Sequence, residues 1–280
     1  MSVHIIGASG RSGTALARSL LADGIEITPV VRSAARWAAT GLPGTPRLAD
    51  LTGDGLQTAL IGATRIVSCA HARHLPTILA AAPPGARLIA LGSTRKFTQW
   101  PDDHGDGVIA GERALLASGR PGAILHPTMI YGAAGEDNVQ RLAALLGRLP
   151  AIPLPGGGRA LVQPIHQSDV TRSIRAALDI AWTAPEAVVI AGPTALPYAD
   201  FVRAIAAAAG LRQPRIVPVP AALLLALSPL TRLPGLPRIR AAEIRRLLED
   251  KSFGIEPMRS RLGIDPIPLS VGLSLTFGKA

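Results

Sequence analysis

The first half of the chain alternates short, wholly apolar runs with longer stretches in which apolar positions recur every three to four residues. VHIIG (3–7) reads as a buried strand, RSGTALARSLLADG as an amphipathic helix closing at Gly24, and IEITPVVR (25–32) as a second strand. The order then repeats. PRLAD (46–50) predicts a third strand, LQTALIG a short helix, TRIVSCA (64–70) a fourth strand, HLPTILAAA a helix and ARLIALGS (86–93) a fifth strand. GVIAGERALLASG (107–119) predicts a helix ended by Gly119, and PGAILHP the strand after it. Apolar strands separated by single helices predict an α/β fold, with a parallel sheet covered on both faces.

Beyond Pro127 the alternation loosens and proline becomes frequent, as expected where irregular segments wrap one end of a sheet. A soft boundary near residue 127 divides a core (1–127) from a remainder (128–280) that completes the same domain and adds a small C-terminal region. That remainder predicts a helix at about 136–148, a strand ALVQPIH (160–166), a helix QSDVTRSIRAALDIA (167–181), a strand EAVVIAG and a helix at 198–210. AAEIRRLLED predicts a last helix with Ile244, Leu247 and Leu248 opposite Arg245 and Arg246. The apolar run AALLLAL, within the segment 218–233, is far shorter than the roughly 20 residues a bilayer demands. It reads as a buried helix or as one lying at an interface.

Composition narrows the function classes. Hydrophobic residues make up 48% of the 280 and charged residues 17%, which places the chain among globular domains. Cys69 is the only cysteine, so an internal disulfide and cysteine-based metal sites are excluded; no metal is expected, and a reducing cytoplasm suits the chain. No basic leader with an apolar core precedes Val3, where the strand pattern already begins. The formal net charge is +10, and residues 201–261 hold eleven basic against four acidic residues. These basic residues lack interleaved aromatics for base stacking, which argues against nucleic acid. A small anionic substrate, or peripheral contact with a membrane surface, fits better. A monomer or homodimer is expected.

The chemistry begins at GASGRSG (7–13). Gly7 falls at the end of the first strand and Gly13 just inside the first helix, where the main chain must turn sharply and come close to a ligand. Backbone N–H groups of Ser9, Gly10, Arg11, Ser12 and Gly13 are then available to a pyrophosphate at the helix start. The spacing is GxxGxxG, and the GK[ST] ending of a triphosphate-binding loop is missing, so kinase or ATPase chemistry is disfavoured.

Taken with Val30-Val31-Arg32, Asp50-Leu51, SCAH (68–71), LGST (91–94), GERAL (111–115), LHPTMIYG (125–132) and VQPIHQSDV (162–170), this stretch resembles the short-chain dehydrogenase/reductase superfamily. The resemblance lies with its extended and atypical branches, which include NAD(P)-dependent nucleotide-sugar epimerases and dehydratases. It runs over nearly the whole chain and implies a Rossmann-type doubly wound sheet with a small C-terminal substrate-side region. It also implies that Asp50 and Leu51 border an adenine, and that Cys69, Ala70 and His71 line the path of the ribose and pyrophosphate. An acid at the end of the second strand would hold the ribose 2′-hydroxyl of NAD; here stands Arg32, with Arg11 and Arg36 nearby, and a guanidinium matches the 2′-phosphate of NADP. NADP(H) is therefore the expected cofactor, with NAD(H) as the alternative.

Working members of the superfamily use a Tyr, with a Lys four residues later, beside a Ser or Thr. The chain has only Tyr131 and Tyr198, neither followed by Lys at that spacing. Aligned on GERAL, His104 occupies the Tyr position and Val108 the Lys position. Thr94, beside Ser93, stands where the family places its substrate-orienting hydroxyl. His104, in WPDDHGDG, reads as part of an exposed loop, or as a substitute acid or base. Lys96 is a candidate for the missing ammonium. Tyr131, with His126 where the family usually has Arg, resembles the tyrosine framing the substrate pocket. Asp137, Asn138 and His166 fall where the family places substrate-facing loops, although His166 with Asp169 also reads as a helix start. The leading expectation is an oxidoreductase or epimerase acting on a nucleotide sugar or similar anionic metabolite. The alternative is a dinucleotide-binding sensor or accessory protein without turnover.

Overall fold

The computed structural model describes residues 2–53, 55–132, 138–149, 151–227 and 241–278. The predicted alternation is present in the first half: β1 (Val3–Ile6), α1 (Arg11–Ala22), β2 (Ile27–Val31), α2 (Ala34–Ala38), β3 (Arg47–Leu48), α3 (Leu56–Ala59), β4 (Arg65–Ser68), α4 (Leu75–Ala81), β5 (Arg87–Leu91), α5 (Asp103–Ala117) and β6 (Gly122–Pro127). There follow β7 (Ile130–Tyr131), α6 (Asn138–Leu146), β8 (Ala151–Pro155), β9 (Leu161–Val162), β10 (Ile165–His166), α7 (Gln167–Asp179), β11 (Pro185–Ile190), β12 (Leu196–Pro197) and α8 (Tyr198–Ala208). The chain continues with β13 (Arg215–Val219), α9 (Ala221–Leu227), α10 (Ala241–Arg246), α11 (Glu256–Leu262) and α12 (Leu269–Phe277).

Seven strands form one sheet in the order β11-β6-β5-β4-β1-β2-β3, and every neighbouring pair is parallel. β1 is buried at all four positions, as a central strand covered on both faces must be. From β1 the chain runs outward through β2 and β3, then returns to β4 on the other side of β1. The carboxyl ends of β1 and β4 therefore bound the switch point where doubly wound sheets open a crevice.

One face of the sheet packs Val3, Ile5, Val67 and Ile89 against Leu16 and Leu20 of α1 and Val170 and Ile174 of α7, with Met258 and Leu262 of α11 beyond. The opposite face packs Ile6, Ile66 and Leu88 against Leu60, Leu75, Ile78, Val108 and Leu115. Each such aliphatic side chain, taken fully out of water, contributes about 1.5–3 kcal/mol. A third cluster, with Phe201, Val202 and Ile205 of α8 against Tyr131, Leu146 and Leu273, lies outside the sheet and builds the C-terminal layer.

Several expectations are corrected. α5 starts at Asp103 rather than Gly107, so His104 sits in a helix and not in an exposed loop. Asp102 accepts hydrogen bonds from the N–H groups of His104 (3.1 Å) and Gly105 (2.9 Å), which starts the helix early. The glycines that obscure the helix in the sequence are close approaches: a Cβ on Gly111 would lie 2.0 Å from the Ala72 carbonyl oxygen.

The strand expected at 160–166 is two short strands. β9 pairs antiparallel with β12 and β10 parallel with β7, because the buried Gln163 between them bonds the Gly192 carbonyl (2.8 Å) and the Phe253 amide (2.7 Å). β8 and β13 pair in parallel and were not predicted, since proline interrupts both runs. In α9 none of the side chains from Ala221 to Ala226 is buried and Leu223 is 50% exposed, so the buried-helix expectation fails. Leu248 is likewise exposed. The start of the helix expected at 136–148 and residues 228–233 of the apolar segment lie outside the described residues.

The Gly111 contact makes a direct test. Gly111→Ala should lower the unfolding free energy by about 1–3 kcal/mol in urea titrations, because backbone must move to admit the methyl group. Gly85→Ala, where the same atom meets open space, should change it by less than about 0.5 kcal/mol.

Candidate functional site

The glycine turn is built by backbone contact. Gly7 has φ +75°, a conformation that costs other residues strain, and a Cβ there would lie 3.2 Å from the Ala70 nitrogen at the end of β4. Cβ atoms on Gly10 and Gly13 would lie 3.2 Å and 2.2 Å from the Gly7 carbonyl oxygen. Gly10 donates to that oxygen at 2.9 Å, and the Thr14 hydroxyl donates to the Ala8 carbonyl at 3.0 Å, so the turn is tied from both sides. Gly10 is the N-cap of α1 and no side chain caps the helix, which leaves its first turn facing the crevice with no internal anion. The Ser12 hydroxyl donates to Gln167 at 3.0 Å, tying this turn to α7. Ser9 is half-buried and Arg11 exposed on the same turn.

At the end of β2, Arg32 is exposed, and Ser33 caps α2 by accepting from the Arg36 amide. Asp50 is exposed, and the amide and hydroxyl of Thr52 (2.9 and 2.8 Å) hold its carboxyl below the usual range, with Arg32 adding a smaller pull. Leu51 packs on the second sheet face. At the end of β4, burial pushes the Cys69 thiol up to about 12, which keeps it protonated.

Two residues later, His71 Nδ1 accepts from the Arg73 amide at 3.1 Å, so its proton sits on Nε2. That Nε2 is buried and has no partner among the described residues. The His71 ring meets His104 edge-to-face at 4.3 Å between centroids. Burial first, then the charges of His104 and Arg73, pull His71 down to about 4; burial and then Arg95 lower His104. Both rings are neutral at neutral pH. The guanidinium of Arg95 clasps Asp102 through Nε at 2.9 Å, fixing the cap of α5 beside His104.

The hydroxyl of Thr94 donates to the Pro127 carbonyl at 3.2 Å, holding the turn after β5 against the end of β6. Beneath it lies a group not foreseen as a unit. Lys96 Nζ lies 2.5 Å from Glu112 Oε2, and the same oxygen lies 2.7 Å from Nε2 of the fully buried His126. His126 Nδ1 in turn accepts from the Ser93 amide at 3.1 Å. Gly92 is required above the ring, since a Cβ there would lie 2.3 Å from His126 Nδ1. Lys96 is thus committed to Glu112, and Val108 is buried in the core.

Tyr131 is sealed from solvent: a Cβ on Gly272 would lie 2.1 Å from its hydroxyl, and burial raises its pKa. Tyr198 is raised by burial as well. His166 caps α7 by accepting from the Ser168 amide at 3.2 Å, and Asp169 binds Arg172 and the Ile267 amide, which is the helix-start arrangement. Asn138 donates to the Ile130 carbonyl, and Asp137 lies outside the described residues. A further buried hydroxyl without a partner among the described residues, that of Thr128, stands at the end of β6. Its only sequence signal was its place just past that strand.

Among the described residues no group of three or more His, Cys, Asp or Glu is placed to hold a metal ion, and no helix is long and apolar enough to cross a membrane. No family model matches the chain, and no curated protein matches it in sequence. Solved structures do match its fold over nearly their whole length. MoeE5 in complex with UDP-glucose and NAD aligns with a TM-score of 0.75 at 18% identity, covering 99% of this chain and 98% of that one. The NADPH-dependent quinone oxidoreductase QOR2 of Escherichia coli, complexed with NADPH, aligns at 0.77 and 18%, covering 98% and 99%. UDP-glucuronic acid 4-epimerase of Bacillus cereus, with UDP-glucuronic acid and NAD, aligns at 0.73 and 15%, covering 99% and 98%. The chain has the Rossmann-type fold these proteins share.

The buried histidines set a pH dependence. His126 is held down to about 4 by burial foremost and by Lys96, against the opposing pull of Glu112. Its folded pKa lies below the unfolded value of 6.5, so the folded state binds fewer protons between these limits and stability falls as pH drops from 6.5 towards 4. The urea midpoint should decline over this window, and His126→Gln should flatten the slope even as it lowers the whole curve. A parent midpoint that stays level from pH 7 to pH 4.5 would refute the assignment.

Proposed function

We propose that the chain binds a nicotinamide dinucleotide, NADP(H) in preference to NAD(H), and serves an oxidoreductase or epimerase reaction on a small anionic substrate such as a nucleotide sugar. The observation that carries this reading is the Gly7-Gly10-Gly13 turn, crowded on the Gly7 carbonyl, with an uncapped helix behind it at the switch point of the sheet. The residues present fit the cofactor. Glycine at positions 7, 10 and 13 lets a ligand come close to the backbone of the turn, and His71 Nε2 is a buried donor in want of an oxygen. Arg32, exposed at the end of β2, would meet a 2′-phosphate. When bound, the nicotinamide supplies or takes up a hydride.

The chain's own part in turnover would fall to His104. As a neutral imidazole fixed in the first turn of α5, it would accept a proton from a substrate hydroxyl, with His71 packed on its ring to limit its motion. Thr94 would position the substrate. Arg73, beside His71, favours an anionic substrate. The family resemblance and the three fold relatives, two of which carry a UDP-sugar and one NADPH, support this substrate class. A second reading, cofactor binding without turnover, is favoured by one observation: Tyr131 is sealed, Lys96 is paired and Val108 is buried, so among the described residues no phenol-ammonium dyad serves the site.

Calorimetry with the four nicotinamide dinucleotides tests the binding. NADPH should bind at least several-fold more tightly than NADH, and Arg32→Asp should erase or reverse that preference. Gly10→Val should abolish ligand-induced thermal shifts, and retained shifts would sink the assignment. Screening sugar nucleotides with NADP+ and NADPH decides between the two readings. If turnover is found, His104→Ala should lower kcat about 10²–10⁴-fold while leaving NADPH affinity within about twofold. Binding with no turnover across the panel would leave the second reading standing.

A further inference from the structure

Two stretches of the sequence beyond Tyr131 contain no acid. Residues 138–168 carry Arg141, Arg148 and Arg159, and residues 201–242 carry Arg203, Arg212, Arg215, Arg232, Arg238 and Arg240, with no Asp, Glu or Lys in either. These nine positive charges nearly equal the whole net charge of +10. Of the nine, Arg203 pairs with Asp200 just outside its stretch, and several arginines elsewhere are matched too: Arg95 with Asp102, Arg172 with Asp169, Arg175 with Asp23, Arg259 with Asp265, and Arg261 with Glu186.

The tertiary structure brings three of the unmatched arginines together. Arg148, just past the end of α6, faces Arg212 and Arg215 at the start of β13 across a cleft of about 490 Å³ that Leu149 and Gln213 also line. The register that sets Arg215 opposite Ala151 holds the two segments side by side. None of the three guanidiniums has an acidic partner among the described residues. Like charges converging on one cleft repel unless an anion joins them, and a phosphate meets guanidinium geometry best.

The surroundings are aliphatic. Leu149 is 38% exposed and Val217 37%, and Val217 shares the outward face of β13 with Arg215 by the two-residue alternation. The chain then enters α9, whose described side chains are all at least partly exposed. No Phe, Tyr or Trp occurs from Val202 to Ala242, so there is nothing on which bases could stack. A soluble phosphate would make no use of the exposed leucines and valine, whereas an anionic lipid surface engages both kinds of group.

We propose that this face docks on an anionic phospholipid surface, with the Arg148-Arg212-Arg215 cleft taking headgroup phosphate while Leu149, Val217 and Leu223 enter the interfacial zone. The proposal does not depend on dinucleotide binding. The test is sedimentation of the full chain with vesicles of phosphatidylcholine alone and of equal parts phosphatidylcholine and phosphatidylglycerol. The protein should pellet with the mixed vesicles only, and added salt should release it. Arg148→Gln, Arg212→Gln and Arg215→Gln combined should weaken partitioning roughly 100-fold, since each basic residue near such a surface contributes about a factor of five. Circular dichroism reads the fold of that variant without any ligand. Leu223→Ser should weaken partitioning several-fold while leaving the salt dependence unchanged.

Absence of pelleting with mixed vesicles, equal pelleting with neutral ones, or insensitivity to salt in the unaltered protein would overturn the proposal. So would a folded triple variant that partitions like the parent. Inorganic pyrophosphate and duplex DNA, titrated calorimetrically, complete the comparison: binding of either without vesicle binding would reassign the cleft to a soluble anion or to nucleic acid.

Discussion

The carbonyl oxygen of Gly7 decides what the opening strand-to-helix turn can be made of. It accepts the Gly10 amide and stands so close to Gly10 and Gly13 that any side chain on Gly13 would strike it. Gly7 is itself pressed against the end of β4. One crowded oxygen therefore links three features: the entry angle of α1, the bare concave backbone in front of that helix, and the closeness of the two strands that bound the crevice. A methyl group at Gly13 would have to push the helix away from the strand, with a cost in packing and in the geometry of the amides alike.

The second half of the site rests on a different kind of contact. α5 is brought against the segment after β4 by Gly107 and Gly111, and its first turn is fixed by Asp102 and Arg95. His71 and His104 meet as a consequence. In the Lys96-Glu112-His126 group only His126 is fully buried, and the three side chains are paired with one another. It holds the Ser93-Thr94 turn through the Ser93 amide, and its charges are compensated within itself. Removing any one member would leave a buried charge or donor uncompensated, which is costlier than the net worth of the intact group. Lys96 and Val108 thus serve the packing of the fold, the one through its pairing with Glu112 and the other in the core.

The C-terminal layer carries its charge differently from the core. Around the sheet, several arginines are tied to carboxylates or to backbone carbonyls, as Arg120 is to Pro83 and Ala86. In the outer layer Arg148, Arg212 and Arg215 have no acidic partner among the described residues and stand beside exposed aliphatic side chains. A surface arranged in this way is stable enough on its own only because the guanidiniums remain largely hydrated, and it gains most when a polyanionic surface displaces that water and the accompanying counterions.

The parallel sheet, the succession of strands and helices up to β6 and the glycine turn were legible from the residues alone, because apolar runs bounded by glycine and proline leave few ways to be buried, and a GxxGxxG turn between strand and helix has few uses. His104 within α5 was not legible: three glycines in its first three turns resemble a loop until the segment around Ala72 is known to press against them. The Lys96-Glu112-His126 group joins residues from three separate elements, and the arginine cleft joins two segments more than sixty residues apart in the chain. Local sequence determines which backbone conformations are affordable at each position. Which side chains meet across the crevice, and which charges are left unmatched, is decided only when the elements pack, because distance in space and loss of water are properties of the assembled fold.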